Sequence, residues 1–92
     1  VLPLMRDSLK EIADSLNCPL TDELSIKYYF HCAHMIERLI RKEPLHYPGI
    51  KAFSNNHPNE FHVIEFSLLS ISQYYGFKIP AAETAYLIEI FL

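Results

Sequence analysis

Along the first sixteen residues the apolar side chains fall at Leu2, Met5, Leu9, Ile12 and Leu16. Steps of three and four place them on one stripe of an amphipathic helix. Strand-like alternation is scarce in the rest of the chain, and only two glycines interrupt it. This spacing restricts the fold to an all-α bundle that buries one stripe from each helix. With 92 residues the chain is long enough for one domain and too short for two.

The breaks between helices can be read locally. Asn17-Cys18-Pro19 ends the first segment, and Thr21 followed by Asp22 and Glu23 offers a hydroxyl cap with acids in the first turn. The second helix is expected to run to about Lys42, ahead of Pro44. Residues 44–58 carry three prolines, Gly49, Ser54, Asn55 and Asn56 and read as a long connection. One short helical turn is expected around Ile50–Phe53. The apolar Leu45, Tyr47, Ile50 and Phe53 should pack the connection down.

Pro58 opens a third long helix, with Phe61, Ile64, Leu68, Ile71 and Tyr75 on one stripe and Gly76 as its stop. Val63, Phe66, Leu69 and Tyr74 lie off that stripe, which argues for a central helix. Pro80 starts a last helix over 80–92. The expected fold is a compact bundle of four long helices plus a short one, a single domain over 1–92. The abrupt apolar ends, VLPLM and LIEIFL, suggest a domain taken from a larger protein.

Within the second helix, residues 30–38 read FHCAHMIER. At about 100° per residue, Leu24, Tyr28, Tyr29, Cys32, Met35, Ile36, Leu39 and Ile40 form an apolar arc. Lys27, His34, Glu37 and Arg41 fall on the wet face. His31 lies at the border, with Lys27 one turn below and Arg38 two turns above. Those cations favour a neutral, nucleophilic imidazole and would welcome a dianionic group placed on it. Two readings stay open on these residues alone: a phosphoryl acceptor, or a boundary histidine with a solvated tip. Glu83, in the first turn of the last helix, is either a carboxylate favoured by the helix N-terminus or a partner for a cation or for His31. Phe30 lies on the polar side, where it could fold under the connection or meet another chain.

Other chemistries find less support. Formal net charge is −3, and the one basic cluster, Arg38, Arg41 and Lys42, is mixed with Glu37 and Glu43. A nucleic-acid face needs more positive charge than that. His31 and His34 are i,i+3, but Cys32 projects into the apolar arc, so no metal site is expected. No Gly-rich phosphate loop, G-x-S-x-G or loop carboxylate pair appears, so neither enzyme activity nor a cofactor is expected. The two cysteines, Cys18 and Cys32, have no C-x-x-C spacing. No signal peptide and no apolar run near membrane length is present, which points to the cytoplasm.

The stretches HCAHMIERLIRKEP and FHVIEFSLLSISQYYGFKIPAAETAYLIEIF resemble the PTS regulation domain of bacterial transcription activators and antiterminators. A histidine followed seven residues later by arginine, His31 and Arg38, carries the first part. Ile79, Pro80, Glu83, Tyr86 and Leu87, in the form I-P-x-x-E-x-x-Y-L, carry the second. The form H-x-A-x-M-I-E-R-L is similar to the C-terminal domain of LevR-type, sigma-54-dependent activators.

The resemblance implies a five-helix bundle, usually homodimeric, phosphorylated on histidine by HPr or a sugar-specific enzyme II B component. It makes His31 the acceptor and matches Arg38 and Glu83 to the family's arginine and glutamate; with Lys27 added by the helical projection, Arg38, Lys27 and Glu83 are the expected phosphate-supporting neighbours. Phe30 stands where many members have aspartate, and Glu89 where many have a second histidine, which leaves a single acceptor. The rival expectation is a helical dimerisation module that works without phosphate.

Overall fold

The computed structural model describes residues 2–92, and among them every regular element is helical. The elements are α1 (Leu2–Ser15), α2 (Asp22–Arg41), α3 (Ile50–Asn56), α4 (Pro58–Ser67), α5 (Leu69–Tyr75) and α6 (Ala81–Phe91). The all-α bundle read from the sequence is therefore the observed fold, with six helices rather than four long ones and a short one.

The second helix follows its end signals closely. Thr21 Oγ1 accepts the Leu24 N–H at 3.1 Å, and Asp22 and Glu23 occupy the first turn. At the other end Lys42 adopts a left-handed conformation (φ 58°), and the Glu43 N–H returns to the Arg38 carbonyl at 2.9 Å. Pro44 then prevents continuation.

The expected third long helix is divided. Leu68, with φ −89° and ψ −1°, separates α4 from α5. Those angles lie near the bridge region, short of a regular helical turn. Phe61, Ile64, Leu68 and Ile71 still form one buried stripe across the break. The off-stripe Phe66, Leu69 and Tyr74 remain at the surface. Although α4 packs between α1 and α6, its apolar residues do not surround it with core.

The helix closed in on most sides is α6. Glu83, Thr84, Ala85, Leu87 and Ile88 are all buried, and α6 packs on α2, α3 and α4. Opposite it, Leu9 and Ile12 of α1 and Tyr28, Cys32 and Met35 of α2 fill the same core. The ring of Phe91 meets Tyr28 edge-on at 5.9 Å. Between α1 and α2 the Ser8 hydroxyl donates to the Met5 carbonyl at 2.8 Å and so must accept from Tyr28 Oη at 2.7 Å. This gives a buried phenol its partner.

Candidate functional site: a cleft beside His31

Three separate chain segments build one cleft of about 370 Å³. Helix α2 supplies Phe30, His31, His34 and Arg38, the connection supplies Leu45, and α6 supplies Tyr86. Among the described residues no carboxylate lines it. The walls are mainly apolar and aromatic, with the two imidazoles, the guanidinium and the Tyr86 hydroxyl as their polar groups.

His31 occupies the half-buried border expected of it. His34 is exposed, as its place on the wet face implies, yet it forms part of the same cleft. Its ring stacks on Phe30 with centroids 6.2 Å apart and planes 17° from parallel. Phe30 itself remains 62% exposed.

The two residues singled out with His31 from distant parts of the chain meet each other. Arg38 Nε donates to Glu83 Oε2 at 2.9 Å, and Arg38 Nη2 to Glu83 Oε1 at 2.7 Å. Glu83 is 2% exposed, so this two-pronged pair lies at the edge of the core. Both bonds stabilise the charged guanidinium and raise Arg38 above its ordinary value. Glu83 therefore fixes the position of Arg38 and does not itself line the cleft. Nη1 makes neither of these bonds.

Lys27 takes a different position from the one its spacing suggested. Its Nζ pairs with Glu23 Oε1 at 3.2 Å, and it is not among the cleft residues. Arg41 similarly pairs with Glu37 at 3.3 Å. Cys32, between the two histidines in sequence, is fully buried, and desolvation pushes its thiol up from 9.0 to about 12. A thiol held so firmly protonated is neither a nucleophile nor a ready metal ligand. Among the described residues no group of three histidine, cysteine, aspartate or glutamate side chains is placed to hold a metal ion.

Two contacts missed by the sequence reading hold the connection over the cleft. Tyr86 Oη donates to the His46 carbonyl at 2.9 Å, and the rings of Tyr47 and Tyr86 meet edge-on at 4.8 Å. The nearby Glu89 carboxylate holds the Tyr47 phenol up at about 12. The aromatic content of 44–53 hinted at such packing, but no local signal named its partners.

The family model described as the PRD domain matches residues 6–92. The chain belongs to the PTS regulation domain family. Members are regulatory domains of transcriptional regulators that respond to the phosphotransferase system. No curated protein and no solved structure matches the chain. In this PTS regulation domain no described helix is long and apolar enough to cross a membrane.

Proposed function

We propose that this PTS regulation domain accepts a phosphoryl group on His31 from HPr or from a sugar-specific enzyme II B component. A ring nitrogen of His31 uses its lone pair to attack the phosphorus of the donor's phosphohistidine. The new N–P bond forms as the donor's N–P bond breaks. The donor imidazole leaves with the electron pair and takes up the proton that His31 releases. The donor supplies an already activated phosphoryl group, so positioning is the main requirement on this side. The observation that carries the reading is the cleft itself: His31 opens onto a carboxylate-free hollow beside Arg38.

The added dianion would change how this domain associates with a second copy. The outer face of α2 supports such association. Ile26, Phe30 and Ile40 are 57%, 62% and 62% exposed along the same helix that carries His31. Exposed apolar residues lined up on one helix suit a protein partner. The chain is best placed in a cytoplasmic sigma-54-dependent activator of the LevR type, on the strength of its H-x-A-x-M-I-E-R-L segment.

The same exposed face also favours the second reading, a homodimerising module indifferent to phosphate. Intact-mass spectrometry separates the two. The domain and His31→Ala are incubated with phosphoenolpyruvate, enzyme I and HPr, with and without enzyme II B components. An acid-labile, phosphate-sized gain in the parent alone supports His31. A gain in His31→Ala defeats the assignment, and no gain with any donor leaves the phosphate-independent module.

A further inference from the structure

We propose that His34 is a positioning residue of this site, and that a ring N–H of His34 donates to the phosphoryl group carried by His31. This rests on the reading of His31 as acceptor. The cleft contains His31 and His34 together. They lie three residues apart on an unbroken stretch of α2, where side chains are neighbours with Cβ atoms about 5–6 Å apart. Side chains on a helix lean toward its N-terminus, so His34 leans toward the turn that carries His31. Its near-parallel stacking on Phe30 restricts where the ring can swing.

The cations of the neighbourhood are already engaged. Arg38 commits Nε and Nη2 to buried Glu83, and Lys27 is paired with Glu23 outside the cleft. Among the described residues no carboxylate is in ion-pair contact with His34. A phosphoryl group on His31 would bring two negative charges to a ring that has no anionic partner in the resting chain. The resulting charge-assisted hydrogen bond would form only in the phosphorylated state. His34 thus biases the transfer equilibrium toward phosphorylated His31, with Arg38 lining the same cleft. The remaining lining groups, Leu45 and Tyr86, carry no charge that would neutralise it.

The test measures how the phosphoryl group partitions at equilibrium between the domain and whichever of HPr and enzyme II B loads it. Intact mass gives the ratio, and fragmentation maps the residue. Two variants separate hydrogen-bond donation from shape. His34→Phe keeps an aromatic ring to stack on Phe30 but has no proton to give, whereas His34→Arg keeps an N–H donor. His34→Phe should shift the partition toward the donor by about tenfold or more, the lower end for a hydrogen bond to a charged group. His34→Arg should stay within about threefold of the parent. An unchanged partition in His34→Phe overturns the proposal, as does an equal loss in both variants. Phosphate mapped to His34 itself also overturns it. A parent that takes up no phosphate from either donor defeats the acceptor reading, which is a different and separately visible failure.

Discussion

Replacing Arg38 by leucine should be the most damaging single change at the edge of this cleft. The Glu83 side chain is 3% exposed and would lose donors at 2.9 and 2.7 Å. Removing one partner of a buried pair costs about 3–5 kcal/mol, because the other charge stays behind uncompensated. The reverse change, Glu83→Leu, should cost less, about 1–3 kcal/mol. The Arg38 side chain is 26% exposed and already borders the cleft, so it can turn toward water. In the double variant neither charge is buried alone, and apolar replacement of a whole buried pair is often near neutral. The double loss should therefore fall short of the summed single losses by at least about 2 kcal/mol. For a domain of this size, with about 5–14 kcal/mol in total, Arg38→Leu removes a large share. Urea unfolding of the four proteins at pH 7, followed by far-UV circular dichroism, provides the cycle. Equal losses in the two single variants, or a double loss equal to their sum, would refute the argument that a stranded carboxylate dominates.

Alkaline stability provides a second check. Burial lifts Cys32 from 9.0 to about 12 and Tyr28 well above 10.0, so the folded chain keeps protons that the unfolded chain gives up. Stability is then fully present below pH 9 and falls as pH rises, by about 1.4 kcal/mol per unit for each group. Cys32→Ala should move the onset of that fall from about 9 toward about 10, where Tyr28 takes over; urea midpoints between pH 7 and 11 read it, and an unmoved onset contradicts it. Tyr86→Phe removes the exposed bond to the His46 carbonyl and should cost less than about 1 kcal/mol globally. It should speed amide exchange in the 45–50 connection, and unchanged exchange there would mean that other contacts hold the connection down.

Helix α2 was legible almost to the residue because its end signals are local: a hydroxyl cap, first-turn acids and a proline beyond the end. The break at Leu68 was not, because Ser67-Leu68-Leu69 contains neither glycine nor proline. No local signal marks the interruption there, and Leu68 itself stays in the core. The pairing of Glu83 with a cation was readable as one of two options, since a carboxylate in an apolar helix needs a reason. That Arg38 would be its partner depends on contact across 45 positions of sequence. His34 was placed correctly on the wet face by helical projection. Projection alone could not show that Leu45 and Tyr86 raise a wall beside it and turn open surface into a cleft.

The break at Leu68 also bears on lengths. An unbroken helix over 58–75 would be about 27 Å long, close to the 31 and 30 Å of the domain's two longer directions. Divided, the segment is two pieces of about 15 and 10 Å. Only Gly76–Pro80 then separate α5 from α6, with Glu83 in the first turn of α6. The carboxylate that fixes Arg38 beside His31 is thus delivered by a stretch of chain, α4 and α5, that contributes nothing to the cleft.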